Sequence, residues 1–126
     1  METTESLRRL VLEVYAAVNS KNRAALAARY AGGPSASMIG TDSDEFFVGG
    51  DAVQGAFDRQ FTEFGDLVFE PGDVEVHADG DAGWFIDRAA VVAGEHRTPL
   101  RLSGTAVRAD GTWRIVHTHL SIGAAG

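Results

Sequence analysis

The chain has 126 residues, enough for one domain with one apolar core, so a single domain over residues 1–126 is expected. Hydrophobic residues make up 44% and charged residues 23%, which excludes a disordered chain, and the lack of cysteine excludes disulfides, thiol nucleophiles and thiolate metal sites. A net charge of −7 repels phosphate backbones, so no nucleic-acid partner is expected.

The first segment reads as a helix. Leu7, Leu10, Val11, Val14 and Val18 recur at spacings of three and four, which places them on one face. Thr3 or Thr4 can cap its start, and it should end near Asn19-Ser20. An Ala-rich helix follows from about Asn22 to Tyr30, stopped by Gly32-Gly33-Pro34. Ser35 to Ile39 and Phe46-Phe47-Val48 read as short strands around a polar loop, Gly40 to Glu45. Asp51 stands where a helix N-cap belongs, and Val53, Phe57, Phe61 and Phe64 then give a third helix an aromatic face.

After Gly65 the pattern turns to strands. Leu67-Val68-Phe69 and Val74 to His77 read as one long strand with a bulge or kink at Pro71-Gly72-Asp73. Asp79-Gly80-Asp81, Gly94-Glu95-His96 and Asp110-Gly111 are turns. They separate strands over Trp84–Val92, Thr98–Arg108 and Thr112–Ile122. Helices followed by an antiparallel meander make the fold class α+β. The N-terminal stretch is acidic rather than a basic leader, and no apolar run approaches the roughly 20 residues that span a bilayer. The expectation is a cytoplasmic protein with no membrane partner.

Two stretches carry a family resemblance. One is Ile39-Gly40-Thr41-Asp42-Ser43-Asp44-Glu45 with Gly50-Asp51-Ala52-Val53; the other runs from Asp110 through Trp113, His117 and His119 to Ser121. With the element order, they resemble the SnoaL-like group of the nuclear-transport-factor-two-like superfamily. The second stretch is also similar to the end of the association domain of calcium/calmodulin-dependent protein kinase type II. The resemblance implies a cone: three N-terminal helices packed into a strongly curved, mainly antiparallel sheet around an internal pocket. The fold hosts enzymes, binding modules and assembly domains alike, so it does not name a chemistry.

Family chemistries can be tried residue by residue. A ketosteroid isomerase needs a carboxylate base and two oxyanion donors. The resemblance puts the base near Met38 to Gly40, the tyrosine at Val14 beside Tyr15, and the oxyanion Asp near Gly104 or Thr105; all three roles are vacant. Asp42 is the nearest carboxylate to the base position. A SnoaL-type cyclase needs an Asp base reaching into the pocket, and Asp87 qualifies if it points inward. Alternation puts Asp87 on the face opposite Trp84, Ile86 and Arg88. A limonene-epoxide-hydrolase-like set would draw on Asp87, Arg88 and Arg101, but strand neighbours point to opposite faces. The pocket arginine of the kinase association domain is replaced by Leu120, so a carboxylate ligand does not carry over. Catalysis is left open, with Asp87 and Asp42 as the candidates.

His117 and His119 lie two apart, on one face with Trp113, Ile115 and Ser121 by simple alternation. They make half a zinc site at most, with no third ligand in view, so neither a metal nor a cofactor is expected. If Leu120 faces the pocket, Thr118 does too, and both histidines lie on the convex face where dimers of the superfamily pack. The expected homodimer places Trp113 to Ser121 at that interface. Asp42, Asp44 and Glu45 read as a solvated acidic loop. The candidate ligand-binding residues are Tyr30, Phe57, Phe61, Trp84, Arg88, Thr118 and Leu120, with Arg88 paired to Glu45 or Asp42, or to an anionic ligand. The functional expectation is a small-molecule-binding domain with a mostly apolar pocket for a small hydrophobic ligand. The alternatives are a cyclase, isomerase or hydrolase on a polycyclic or terpenoid-like substrate, and a non-catalytic assembly module.

Overall fold

The computed structural model describes residues 2–63 and 66–123; Phe64, predicted on the aromatic helix face, lies outside them. Helix α1 spans Glu2–Asn19, α2 Arg23–Arg29 and α3 Gly50–Glu63. Strands β1 (Ser37–Ile39) and β2 (Phe46–Val48) precede α3. β3 (Val68–Glu70), β4 (Glu75–Asp79), β5 (Ala82–Ala93), β6 (His96–Ala109) and β7 (Thr112–Ser121) follow it. None of the described helices is long and apolar enough to cross a membrane.

Helix ends differ from the sequence reading in two places. α1 already includes Thr3 and Thr4, so neither is its cap; the Thr3 hydroxyl instead accepts from Arg108 at 3.3 Å. α3 begins one residue before Asp51, which sits in the first turn, where its charge meets the positive end of the helix dipole. The capping position falls to Gly49, whose φ of +98° suits glycine and whose carbonyl takes the Val53 N–H at 3.0 Å. Asn22 caps α2 by accepting the Ala25 N–H at 3.1 Å.

The sheet runs β2-β1-β7-β6-β5-β3, with β4 also on β5. Among the described residues, every strand pairing is antiparallel except β1 with β7, beside which Tyr30 adds an isolated parallel bridge to Ile115. β3 and β4 lie end to end along β5, with Glu70 opposite Ala90 and Glu75 opposite Ile86. Residues 71–74 therefore face only residues 87–89; the extra residue is a bulge, and it divides the expected single strand into β3 and β4. Asn19 ties α1 to this edge: its amide both donates to the Phe69 carbonyl and accepts the Phe69 N–H, each at 2.8 Å.

The helices cover one face of the sheet, and the core between them holds Leu7, Val11, Leu26, Val53, Phe85 and Ile115 fully buried. On β5, Phe85, Asp87 and Ala89 point to this inner face, while Trp84, Ile86 and Arg88 point away. On β7, Trp113 and Ile115 point inward, a bulge falls at Val116, and Thr118 resumes the inward face. The extra residue inverts the alternation. Trp113 and Ile115 are core residues and do not share a face with His117 and His119, contrary to simple counting.

Candidate functional site

A cavity of about 270 Å³ opens between the helices and the inner sheet face. α1 contributes Val11, Val14, Tyr15 and Val18 at helical spacing; Tyr30 and Phe57 come from the α2 end and α3. The sheet supplies Met38, Phe85, Leu100, Leu102, Ile115, Thr118 and Leu120. Apolar side chains dominate, and the hydroxyls of Tyr15, Tyr30 and Thr118 belong to buried residues. Thr41, Asp42 and Arg59 also line the cavity but are exposed, which marks the solvent side, with Glu45 and Gln60 half-buried beside them.

Tyr30 is set in place by the chain just after α2. It bridges Ile115, and the next N–H, from Ala31, donates to the Ile115 carbonyl at 2.8 Å. Its ring meets Phe57 edge-on at 5.5 Å, and its hydroxyl lies 3.2 Å from that of Thr118. Burial pushes the Tyr30 phenol up to about 12, although the Thr118 contact works in the other direction.

Asp87 is buried and points inward, but it does not line the cavity. Its Oδ2 accepts the Tyr15 hydroxyl at 2.6 Å and the Gly72 N–H at 3.0 Å; among the described residues its Oδ1 has no hydrogen-bond partner. Burial, then the hydrogen bond and charge of Asp87, raise the Tyr15 phenol well above its ordinary value. The pair is legible only in three dimensions, being 72 residues apart. Tyr15 itself shares helical spacing with Val11, Val14 and Val18, which is the signal that could have marked it.

Of the seven candidate ligand-binding residues, Tyr30, Phe57, Thr118 and Leu120 line the cavity. Phe61 stands behind, its ring stacked on Phe57 at 6.3 Å, and is not in the wall. Trp84 and Arg88 are corrected: strand parity carries both to the outer face. Trp84 is 44% exposed and stacks on His77 at 5.7 Å. Arg88 is exposed opposite Arg101 and forms no ion pair with Glu45 or Asp42. Glu45 serves its own loop instead, its Oε1 accepting the Asp42 N–H at 2.9 Å. The outer-face position of Arg88 and Arg101 also separates them from Asp87, so the hydrolase-like trio does not converge. Arg59 and Gln60, missed in the sequence, reach the cavity from α3. His117 is engaged by Ser37, Nδ1 to Oγ, at 2.8 Å, and among the described residues no three His, Asp or Glu side chains cluster as a metal site would.

The SnoaL-like domain family matches residues 7–125, nearly the whole chain. The protein is a SnoaL-like domain. No curated protein matches it. Solved structures share its fold. An NTF2-like protein of unknown function from Pseudomonas putida is 22% identical, with a TM-score of 0.85 over 95% of this chain and 86% of that one. A protein from Thiobacillus denitrificans, provisionally named a calcium/calmodulin-dependent protein kinase type II association domain, is 19% identical, with a TM-score of 0.82 over 91% and 93%. A provisionally named dehydratase of the NTF2-like family from Streptomyces avermitilis is 14% identical, with a TM-score of 0.83 over 98% of each chain. In this SnoaL-like domain, Val14, Met38 and Gly40 stand in the cavity wall. None of them can supply a proton or remove one.

Proposed function

We propose that the protein binds a small, mostly apolar molecule in this cavity. The observation that carries the reading is the cavity itself: concave, lined mainly by aliphatic and aromatic side chains, with a few convergent hydroxyls. Its size lies just under the roughly 300 Å³ where small-molecule sites begin. The bulge at Val116 and the one at residues 71–74 are devices that bend a sheet. They support the cone shape implied by the family. A cavity bounded by Asp42 and Glu45 in a chain of net charge −7 favours neither nucleic acid nor an anionic surface.

The test is the fluorescence of a neutral apolar dye, N-phenyl-1-naphthylamine. Ala56 lines the cavity from α3 with little volume of its own. Ala56→Phe should fill the space and weaken binding about tenfold or more, whereas Trp84→Ala, on the outer face, should leave it unchanged. Dye binding that survives Ala56→Phe and disappears in Trp84→Ala would place the site on the outer face and overturn the proposal.

A second reading, an enzyme of the cyclase, isomerase or hydrolase type, is favoured by one observation. Tyr15 lines the cavity, and its phenol is perturbed by a buried carboxylate, a pattern that gathers at active sites. Asp87 would then act through Tyr15, because it does not itself reach the cavity. We further infer a homodimer through the outer sheet face, with His117 and His119 at the interface and Trp84 and Ile86 taking the place of the buried Trp113 and Ile115.

A further inference from the structure

The hydroxyls of Tyr30 and Thr118 form a pair with one proton too many. Both residues are 4% exposed and both line the cavity. Their oxygens are 3.2 Å apart and either can donate to the other. Two O–H groups sharing one hydrogen bond leave one O–H over. Among the described residues no other side-chain or backbone group accepts it. A buried donor without an acceptor is costly, whereas a spare lone pair on a hydroxyl costs little. The third buried hydroxyl in the wall does not compete, because Tyr15 donates its proton to Asp87 at 2.6 Å.

The charge inside the cavity narrows the complement. Arg59 is the only cationic side chain among the lining residues described, and it is exposed, on the same solvent side as Asp42 and Glu45. A carboxylate beside Tyr30 would lose its hydration and gain one neutral hydrogen bond, an exchange that fails by a wide margin. A neutral carbonyl oxygen loses far less and satisfies the orphan donor.

We propose that the Tyr30–Thr118 pair is a hydrogen-bond anchor for a neutral carbonyl oxygen, so that the ligand class is an apolar ketone or a similarly neutral oxygen-bearing hydrocarbon. This rests on the cavity being the ligand site. Either hydroxyl alone can still donate, so Tyr30→Phe and Thr118→Val singly should preserve most of the preference, and only the double variant should remove it.

The probes are 2-decalone and its parent hydrocarbon decalin, each used to displace N-phenyl-1-naphthylamine. The ratio of the ketone Kd to the hydrocarbon Kd should rise about fivefold in Tyr30→Phe/Thr118→Val relative to the wild type, as loss of one neutral hydrogen bond implies. On the wild type alone, the infrared carbonyl stretch of bound 2-decalone should lie below its value in hexane. A stretch equal to that in hexane, or an unchanged ratio in a folded double variant, overturns the anchor while leaving the cavity as the site. Decanoate outcompeting 2-decalone, with the advantage abolished by Arg59→Gln, overturns it as well, in favour of an anionic head group on the solvent side. Failure of the dye to bind at all removes the cavity reading itself and the anchor with it.

Discussion

Among the described residues, Asp87 is a buried carboxylate held by neutral donors alone. The Tyr15 hydroxyl and the Gly72 N–H meet one oxygen, and neither brings a positive charge. Burial keeps the Tyr15 phenol protonated, and its hydrogen bond to Asp87 and the charge of that carboxylate add to the effect. Tyr30 is held protonated for a simpler reason, burial beside Phe57 and Thr118. Both phenols thus have folded-state values raised above the ordinary value near 10. A raised value means that the folded state holds its proton more tightly than the unfolded chain. The stability this gives is complete below about pH 10 and is lost as pH rises, through about 12 in the case of Tyr30. These are the only two tyrosines in the chain, so absorbance at 295 nm reports them alone among the tyrosines. Phenolate absorbance should stay absent through pH 10 and then rise in step with the loss of far-UV circular dichroism. Half of the phenolate signal developing near pH 10 in protein that is still folded would show that one of the two rings is not sequestered as described.

At the scale of the element, the break between β3 and β4 makes the Asp87 site possible. The extra residue in this edge turns the Gly72 N–H toward the carboxylate, and there is no room there for a side chain. A Cβ on Gly72 would stand 2.2 Å from the Arg88 carbonyl oxygen and 2.8 Å from Asp87 Oδ1, so the backbone would have to move. Gly72→Ala should therefore cost about 1–3 kcal/mol, or several degrees in melting temperature. Gly32→Ala, where a Cβ meets open space, should change it by less than a degree or two. Equal melting temperatures for the two variants would contradict the close approach. The same bulges mark the limit of what the sequence discloses. Pro71-Gly72-Asp73 announces its kink, and the helical spacings and Asp-Gly turns locate every helix and every long strand to within a few residues. Nothing in Thr112–Ser121 announces the bulge at Val116, because an inserted residue is defined by the partner strand and not by its own chain. Parity is therefore right on either side of it and wrong across it, which is how Trp113 comes to be buried while His117 faces outward. On β5 the pairing with β6 is regular and the alternation holds, so Asp87 and Trp84 lie on opposite faces as their spacing requires. Which face looks inward depends on where the helices pack, and that is a property of the whole domain.

For the whole molecule, the consequence is a sheet with an unusual outer face. An antiparallel sheet covered on one side by helices normally presents polar side chains on the other. Here Trp84, Ile86 and Val107 are 44%, 52% and 41% exposed on that side. Across β6 and β7 their neighbours are short or ring-bearing, with Trp84 opposite Thr105 and then His117, and Ile86 opposite Ser103 and then His119; Glu75 opposite Ile86 and Arg114 opposite Val107 stand at the margins. Three large apolar side chains grouped on one exposed face suit an interface, and a two-fold axis through the sheet would pair the group with its own copy. Arg88 and Arg101, opposite one another on the same face, would border such an interface rather than occupy its centre. Light scattering at micromolar concentration should give twice the 13.4 kDa chain mass. Ile86→Arg should reduce it to one chain mass with the far-UV circular dichroism unchanged, since even with Glu75 opposite, two added guanidiniums would have to be desolvated and brought together across the axis, and the side chain makes no contribution to the inner core. Wild-type protein scattering as a single chain would overturn the dimer, and Ile86→Arg scattering as two would move the interface off this face.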